Sequence, residues 1–353
     1  MKKGRIILVE ALVLIALILV ACVICKEMVK APDDAQPAAA TEPTATEPTE
    51  TEPAPTEPPE PIVPTWLVMD EGYTLSCREY FVYDVAAGVF ADSSGVPADT
   101  KIYPASITKL FTTYVALQYL DPETQVTVGA EITMIDPDST TAQLQQGDVV
   151  TVHQLVGGML LPSGNDAAYA MAAAAGRVIK GDPDCSAWTA VSAFVEEMNK
   201  QAAALGMTGS HFCNPDGIHQ DDHYLSLEDM ALVGELSLQN PIVMEYAGRA
   251  TESVQIGDRS VFWKNTNLLI RRDLPMLSQE ELGPYLEMEH WDQLYCEYAV
   301  GLKTGRTTPA GCCLLSAFEV RGRQLVIGVF GCDEGEARFT DTLHLLNNTL
   351  ELT

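Results

Sequence analysis

Pro104-Ala105-Ser106-Ile107-Thr108-Lys109 is the stretch around which the rest of the sequence is organised. A serine stands three residues before a lysine, at the start of a segment that we predict to be a helix from Ser106 to about Leu120. Residues three apart share one face of a helix, so the Lys109 ammonium group can reach the Ser106 hydroxyl. A desolvated lysine beside other cations can lose its proton near neutral pH and activate a serine, and a helix N-terminus offers N–H groups to an oxyanion. The spacing alone is a weak signal, because a helix cap followed by a surface lysine has the same pattern.

Two further motifs follow in the chain. Leu161-Pro162-Ser163-Gly164-Asn165-Asp166 separates two apolar, helix-forming segments, so we expect Ser163 and Asn165 on a short loop with side chains pointing into a cleft. Val300-Gly301-Leu302-Lys303-Thr304-Gly305-Arg306-Thr307 has the pattern of a strand edge. S-x-x-K, S-x-N and K-T-G in this order are the motifs of penicillin-binding proteins and class A β-lactamases. Each triplet is common, but the ordered set indicates a serine acyl-transfer enzyme.

The resemblance to a family extends beyond these triplets. The segments that carry it are Tyr80–Gly88 (YFVYDVAAG), Leu205–Thr208 (LGMT), His211–Gly217 (HFCNPDG), Asn265–Leu269 (NTNLL) and Gly301–Thr307 (GLKTGRT). In these segments and their order, residues 67 to 350 resemble the serine D-alanyl-D-alanine carboxypeptidases, the low-molecular-mass penicillin-binding proteins. This resemblance covers the whole part of the chain that we expect to fold.

The resemblance implies an α+β, β-lactamase/transpeptidase-like domain, in which a five-stranded antiparallel sheet flanked by helices lies beside an all-helical lobe. The expected elements, in chain order, are a hairpin near Tyr80–Ala91, helices at Val152–Leu160, Asp166–Ala175, Ala187–Leu205 and Ser226–Leu238, strands at Ser253–Trp263, Ala299–Thr304, Cys313–Val320 and Gln324–Gly331, and a closing helix at Glu336–Leu350. Ser106 would lie at the base of a cleft between the lobes, with the S-G-N and K-T-G segments as its walls.

The resemblance also implies the roles of the site residues. The predicted catalytic residues are Ser106 as nucleophile, Lys109 as its base, and Ser163, which relays a proton to the leaving group together with Lys303. The predicted substrate-binding residues are Asn165, Lys303, Thr304, Gly305, Arg306 and Arg338. Arg306, whose N–H would form the oxyanion hole with that of Ser106, stands where many relatives have histidine or an aromatic residue. Arg338 matches a family arginine by its spacing alone, eight residues before Leu346 in the closing helix.

The activity implied is removal of the terminal D-alanine from peptidoglycan pentapeptide stems through an acyl-enzyme, without cofactor or metal. β-Lactams, which mimic the D-Ala-D-Ala end, would act as covalent inhibitors. One alternative is a class A-like β-lactamase, since Glu196 and Glu197 follow Ser163 at a suitable distance, although their surroundings match a carboxypeptidase helix. A second alternative is a non-catalytic wall-binding or regulatory protein.

The N-terminal residues predict an attachment to a membrane. Residues 1–25 combine a basic start with an apolar run from Ile6 to Cys25, broken only by Glu10 and just long enough to span a bilayer. The basic flank predicts a cytoplasmic N-terminus, and therefore a catalytic domain on the extracytoplasmic face of a bacterial cell membrane. A cleaved signal peptide and a lipoprotein with Cys22 as the lipidated residue remain alternatives.

A low-complexity segment follows the apolar run. Residues 26–64 are rich in Thr, Glu and Pro, with Thr-Glu-Pro starting at Thr41, Thr46, Thr51 and Thr56. Because this segment has little apolar surface to bury, burial cannot offset the conformational entropy lost on folding. We therefore expect a disordered, extended linker before a catalytic domain at 65–353. The formal net charge is −28, and such an acidic chain is a poor candidate for binding nucleic acid.

Cysteines and histidines leave further possibilities open. Seven of the nine cysteines fall in the predicted domain, where they form disulfides or stay reduced in a low-oxygen habitat. The adjacent Cys312 and Cys313 are expected on opposite faces of a strand. His219 and His223 lack the glutamate of an H-E-x-x-H zinc motif, so we predict a solvated turn there instead of a metal site.

Overall fold

A computed structural model describes residues 72–278, 288 and 290–351. The predicted membrane segment, the predicted linker and residues 65–71 of the predicted catalytic domain lie outside the described residues. Within the described ranges, no helix combines the length and the apolar character needed to cross a bilayer.

The described strands are β1 (Glu79–Asp84), β2 (Val89–Ser93), β3 (Lys101–Ile102), β4 (Gln125–Thr127), β5 (Val149–Thr151), β6 (Leu225–Ser226), β7 (Thr251–Ile256), β8 (Arg259–Lys264), β9 (Ala299–Thr307), β10 (Gly311–Val320) and β11 (Arg323–Cys332). The described α-helices are α1 (Thr108–Ala116), α2 (Val152–Leu160), α3 (Asn165–Lys180), α4 (Ala187–Ala204), α5 (Leu227–Leu238), α6 (Pro241–Ala247) and α7 (Ala337–Glu351).

The main sheet has the order β2-β1-β11-β10-β9, and its neighbouring strands are antiparallel. The five-stranded antiparallel sheet expected from the sequence is therefore confirmed. Its central strands are apolar along nearly their whole length because helices cover both faces, α5 on one side and α7 on the other. Cys312 packs with the core beneath α7 and Cys313 with the core of the helical lobe, which confirms that they occupy opposite faces.

Helices α1 to α4 build the second part of the fold and pack on the other side of the cleft. Two of them, α3 and α4, are in close contact, since a Cβ atom on Gly176 would lie 1.9 Å from the carbonyl oxygen of Ala190. Only glycine permits this contact, which lets the alanine-rich face of α3 lie directly on α4. Helix α3 begins directly after Ser163 and Gly164, so its packing on α4 helps to position this segment.

Two predicted elements differ from the structure. The segment expected as one strand at Ser253–Trp263 is a hairpin of β7 and β8 that forms its own two-stranded sheet, because Gly257 turns the chain at a φ of 55°. The helix expected from Ser106 to about Leu120 is shorter. Ser106 lies in a 3₁₀ turn, Ala105–Ile107, and α1 then runs from Thr108 to Ala116.

Candidate active site

The nucleophile candidate lies on the turn that enters α1. Ala105, which precedes it, has a φ of 48°, an unfavourable value for a residue with a side chain. The turn leaves the Ser106 side chain partly exposed, and Lys109 Nζ lies 2.9 Å from Ser106 Oγ. The structure therefore brings together the two residues that the S-x-x-K spacing predicted to meet.

Lys109 is completely buried, which is rare for a lysine. Its Nζ also donates a hydrogen bond of 2.8 Å to the main-chain oxygen of Asp216. Burial lowers the pKa of Lys109 to about 8, against the opposing effect of the Asp216 and Asp166 carboxylates. A lysine with this pKa exists partly as a neutral amine near neutral pH, so it can accept a proton from the adjacent serine.

The HFCNPDG stretch forms the floor beneath the nucleophile. Gly217 has a φ of 85°, and a Cβ atom there would lie 1.8 Å from the Ala105 oxygen, so only glycine fits. Thr112 on α1 donates a hydrogen bond of 2.7 Å to the carbonyl oxygen of Pro215. These contacts hold the Asp216 carbonyl against Lys109.

His223 corrects one prediction from the sequence. The residue is not in a solvated turn but is 2% exposed, with Nδ1 accepting a hydrogen bond from the Cys213 N–H at 3.2 Å. Nε2 then carries the proton and donates to Thr108 Oγ1 at 2.9 Å. Burial lowers the pKa of His223 to about 3, so the ring is neutral near pH 7 and stabilises the first turn of α1 through its hydrogen bond with Thr108. His219 is more exposed and lies 3.3 Å from the Asp221 carboxylate.

The K-T-G strand, β9, lies directly against the nucleophile turn. A Cβ atom on Gly305 would lie 2.8 Å from the Pro104 oxygen and 3.0 Å from Ala105 Cβ, so the glycine lets the two segments touch. Lys303 is 1% exposed, and its Nζ donates to the carbonyl oxygen of Thr304 at 3.0 Å. Burial holds the pKa of Lys303 well below its usual range, and the charges of Lys109 and Arg338 lower it further.

Arg338 reaches the same strand from α7. Its Nη1 donates a hydrogen bond of 3.3 Å to the Gly305 oxygen, so the arginine chosen by spacing lies beside the K-T-G motif. The predicted Lys303, Thr304, Gly305 and Arg338 are thus brought together. Arg306 follows them at an exposed position of β9.

The S-x-N segment has an unusual backbone angle at Ser163 and is held in place by the buried Asp166 carboxylate. Ser163 is 6% exposed and has a φ of 63°, and its carbonyl accepts a hydrogen bond from Thr140 Oγ1 at 2.8 Å. The prediction that Asn165 lies on the loop is wrong, because Asn165 is the first residue of α3. Its Nδ2 atom donates a hydrogen bond to Ser139 Oγ at 2.8 Å. Asp166 accepts hydrogen bonds from the main-chain N–H groups of residues 142, 144 and 167, which ties this segment to the preceding loop.

Several polar atoms at the site lack partners among the described residues. Buried Asn165 Oδ1, Asp216 Oδ2 and Arg338 Nε accept or donate no hydrogen bond there. Buried polar atoms without partners are uncommon in folded proteins. Asn165 and Arg338 are both predicted to bind substrate, and these two atoms can each form a hydrogen bond with a polar group of a substrate.

A cleft of about 790 Å³ continues from the end of β9. Its walls include Arg306 and Thr307 on one side and Asp136, Asp138 and His219 on the other. This cleft is large enough to hold several residues of a peptide and adjoins the motif strand.

Glu196 and Glu197, which suggested a β-lactamase, lie on α4 as the carboxypeptidase resemblance implied. Glu196 is exposed, whereas the Glu197 carboxylate is hydrogen-bonded to Tyr119 Oη at 2.5 Å and to Lys200 Nζ at 2.9 Å. These contacts commit Glu197 to a structural role.

Sequence reasoning missed the residues that support the motifs. Asp216, Asp166 and His223 were not assigned roles in the site, and neither was Thr266, whose hydroxyl lies 2.5 Å from that of Thr304. Asp216 and Thr266 fall within segments that resemble the family and Asp166 ends the S-x-N stretch, but only contacts across the fold distinguish them from their neighbours.

Comparisons with known proteins agree with this geometry. A family model described as D-alanyl-D-alanine carboxypeptidase matches residues 74–278. A Bacillus subtilis D-alanyl-D-alanine carboxypeptidase, DacF, is 26% identical over 261 residues, which cover 71% of this chain and 56% of that protein. A D-alanyl-D-alanine carboxypeptidase of Streptomyces sp. strain K15 is 30% identical over 261 residues, covering 71% of this chain and 79% of the relative. This chain therefore spans little more than half of the Bacillus relative but most of the Streptomyces one.

Solved structures show the same fold. The crystal structure of the Streptomyces K15 DD-transpeptidase superposes with a TM-score of 0.65 at 25% identity, covering 79% of this chain and 98% of that one. Penicillin-binding protein D2 of Listeria monocytogenes, in a cefotaxime-bound form, superposes with a TM-score of 0.61 at 24% identity over 79% of this chain and 98% of that one.

Proposed function

This chain belongs to the D-alanyl-D-alanine carboxypeptidase family of peptidases, and we propose that it removes the terminal D-alanine from peptidoglycan pentapeptide stems. The observation that carries the proposal is the 2.9 Å contact between Ser106 Oγ and the Nζ atom of a fully buried Lys109. A serine and an amine of lowered pKa in contact form an activated nucleophile. A wall-binding protein without activity would have no need of this pair.

In the first step, Ser106 Oγ attacks the carbonyl carbon of the D-Ala-D-Ala peptide bond while Lys109 accepts its proton. Charge then develops on the carbonyl oxygen. The main-chain N–H groups of Ser106 and Arg306 are the donors that we assign to this oxyanion, whose stabilisation is often the largest single contribution to such catalysis. Gly305 is essential here because it lets β9 lie close to the nucleophile turn.

In the second step, the amide nitrogen of the departing D-alanine takes a proton and the C–N bond breaks. We assign the relay of this proton to Ser163 and Lys303, which pass it from Lys109 to the leaving nitrogen and leave Lys109 neutral again. Lys303 suits the role because burial and the neighbouring cations lower its pKa, so that it gives up a proton readily. Water then hydrolyses the ester on Ser106, with Lys109 accepting a proton from the water and returning it to the serine.

Substrate binding uses the remaining residues. We assign the free carboxylate of the substrate to a pocket in which Arg338 supplies positive charge and Lys303 and Thr304 supply further hydrogen-bond donors. Asn165 holds the amide of the penultimate residue through a side chain that has a free buried oxygen. The stem peptide continues into the cleft beside Arg306.

The same site would be acylated by β-lactams, because they present a strained amide and a carboxylate in the arrangement of the D-Ala-D-Ala end. The Listeria protein of the same fold is solved with cefotaxime bound. For this chain, we propose penicillins and cephalosporins as slowly released covalent inhibitors.

We also propose that the protein works at a bacterial cell membrane, with the catalytic domain on the extracytoplasmic face. The support for this proposal is the basic start and the apolar run of residues 1–25. The Thr/Glu/Pro segment at residues 26–64 would then carry the domain toward the peptidoglycan.

The deciding experiment incubates the full chain with a pentapeptide stem that ends in D-Ala-D-Ala and measures free D-alanine. We expect release by the wild type, loss in Ser106→Ala, and unchanged release in a control, Ser260→Ala, at an exposed position of β8. Labelling with a fluorescent penicillin and mapping of the modified residue should identify Ser106. Equal release by Ser106→Ala would refute the nucleophile, rapid turnover of a chromogenic cephalosporin would support a β-lactamase, and transfer of the acyl group to an added amine would indicate a transpeptidase.

A further inference from the structure

Three cysteines meet at one end of the main sheet, far along the chain from one another. Cys77 lies just before β1, Cys332 is the last residue of β11, and Cys312 is opposite Cys332 near the start of β10. Cys332 and Cys312 are buried, whereas Cys77 is half-buried, and all three carry free thiols in this structure. The mechanism proposed above uses none of them.

Cys77 and Cys332 lie close together, because both are hydrogen-bonded to the same buried carboxylate oxygen. The Asp341 carboxylate holds both residues, because its Oδ2 atom accepts hydrogen bonds from the Cys77 main-chain N–H at 2.8 Å and from Cys332 Sγ at 3.8 Å. Asp341 is itself completely buried on α7 and also accepts a hydrogen bond from Tyr73 Oη at 2.7 Å.

The backbones on either side are held as firmly as the thiols. The strands β1 and β11 are hydrogen-bonded neighbours, and the pairing continues to Arg78, whose N–H donates to the Phe330 oxygen at 2.9 Å. Arg78 also donates from Nε to the Gly331 oxygen at 3.2 Å. These contacts fix the main-chain segments that carry the two cysteines before any bond forms between the thiols.

From this arrangement we propose that Cys77 and Cys332 are a disulfide site, which closes when the folded chain meets a disulfide-bearing oxidant such as an oxidised dithiol oxidoreductase. Cys77 reacts first because its thiol is half-exposed, whereas Cys332 is shielded. The Cys77 thiolate attacks one sulfur of the donor disulfide, and the other sulfur leaves as a thiol after taking up the proton that Cys77 lost.

The second step closes the bond inside the protein. Cys332 Sγ attacks Cys77 Sγ in the mixed disulfide, and the second donor sulfur leaves as a thiol with the proton from Cys332. Two protein thiols are thereby oxidised and one donor disulfide is reduced to two thiols. The interaction with the Cys77 thiol, burial and the charge of Asp341 raise the pKa of Cys332, which makes it a poor first nucleophile but does not prevent attack on an adjoining mixed disulfide.

Closure would join the segment that precedes β1 to the far end of the domain. The bond links residues 77 and 332, and a cross-link across so long a loop removes much of the conformational freedom of the unfolded chain. It also fixes the chain where the described region begins, next to α7.

Cys312 provides the competing pairing. It lies opposite Cys332 in the register of β10 and β11, although that register shifts between Cys312 and Leu314. What favours Cys77 over Cys312 as the partner is Asp341, whose Oδ2 atom accepts hydrogen bonds from the Cys77 main-chain N–H and from the Cys332 thiol. Cys312→Ser is therefore the matched control for Cys77→Ser.

Trypsin distinguishes the two pairings. In the full chain, Cys77 lies in peptide 31–78, Cys312 and Cys313 in peptide 307–321, and Cys332 in peptide 324–338. The folded protein would be treated with oxidised glutathione, its remaining thiols alkylated, and the digest read by mass spectrometry. We expect peptide 31–78 linked to peptide 324–338. A link between 307–321 and 324–338, or alkylation of both Cys77 and Cys332, would overturn the proposal.

Thermal melting supplies the second measurement. The oxidised wild type and oxidised Cys312→Ser should melt roughly 5–10 °C above their reduced forms, and Cys77→Ser should show no such difference. An equal rise in Cys77→Ser would contradict the assignment. Labelling by fluorescent penicillin in the same samples reports the state of the active site separately, so failure of the proposed function would leave the disulfide test intact.

Discussion

Lys109 Nζ donates a hydrogen bond of 2.8 Å to the main-chain oxygen of Asp216, and this contact sets the position of the base relative to the nucleophile. A main-chain carbonyl accepts hydrogen bonds from an ammonium group and from a neutral amine alike. Lys109 therefore keeps its place after it loses its proton, and its lone pair can face Ser106 Oγ at 2.9 Å. We therefore propose that Lys109 activates Ser106 without a histidine.

The first prediction concerns the pH dependence of acylation. Because the pKa of Lys109 is lowered to about 8, the rate of labelling by a fluorescent penicillin should rise with pH and level off above about 8. Lys109→Arg keeps a permanent charge and cannot act as a base, so its labelling rate should fall by roughly 10²–10⁴-fold at every pH. An arginine variant that retains the rising limb would rule out Lys109 as the group that titrates.

The second prediction separates the Asp216 carboxylate from its carbonyl. The carboxylate raises the pKa of Lys109 against the effect of burial. In Asp216→Asn the main-chain hydrogen bond stays in place, so the rising part of the plot of acylation rate against pH should move to lower pH. At pH 7 the variant should be acylated a few-fold faster than the wild type. Asp258→Asn, at an exposed hairpin turn, serves as the control. A shift of the limb to higher pH would show that the sign of the interaction is wrong.

Much of the fold could be predicted from the sequence because its signals are local. The strands β9 to β11 and the closing helix were placed within a few residues by apolar runs and turn residues. The prediction of a single strand at Ser253–Trp263 was wrong because one glycine, Gly257, turns the chain within an otherwise continuous strand pattern. A single residue in a turn carries little statistical weight until its φ is known.

The candidate site divides in the same way. Ser106 and Lys109 share a helical turn, so their spacing predicted their contact. The burial of His223 and the carbonyl of Asp216 against Lys109 arise from segments more than a hundred residues away, as the separations of 115 and 107 residues show. The local sequence of a histidine near two aspartates favours a solvated turn, and only tertiary packing reverses that expectation.

The third prediction tests the close approach of β9 to the nucleophile turn. In Gly305→Ala the new Cβ atom would lie 2.8 Å from the Pro104 oxygen, a contact with backbone that cannot rotate away. The strand or the turn must shift, so we expect a loss of roughly 1–3 kcal/mol in unfolding free energy and a larger relative loss of acylation. Urea unfolding and penicillin labelling measure the two effects. Gly335→Ala, where the nearest atom would be Met288 Cε at 3.6 Å, should be close to neutral in both.

The fourth prediction concerns stability in acid. The folded-state pKa of His223 is lowered from 6.5 to about 3, chiefly by burial and further by the charges of His211 and His219. Between these values the unfolded chain binds a proton that the folded chain does not, so His223 makes stability fall as pH falls from about 6.5 toward about 3. His223→Gln should be less stable than the wild type at pH 7 and should lose less further stability on going to pH 5. Parallel pH slopes of unfolding free energy for the two proteins would argue against this role.

The fifth prediction tests recognition of the substrate carboxylate by Arg338. The side chain lies beside Gly305 and its buried Nε has no partner among the described residues, so a substrate carboxylate could use both the charge and the donor. The wild type should cleave a peptide ending in D-Ala-D-Ala with a kcat/KM roughly 10–100-fold above that for the same peptide with its C-terminus amidated, since a hydrogen bond to a charged group contributes about 1.5–3 kcal/mol. Arg338→Gln should lose most of this preference, because kcat/KM should fall for the free-acid peptide and stay the same for the amidated one. Arg321→Gln, in the turn between β10 and β11, should keep the preference. If Arg338→Gln slows both peptides equally, the arginine supports β9 structurally and the carboxylate is bound by Lys303 and Thr304 instead.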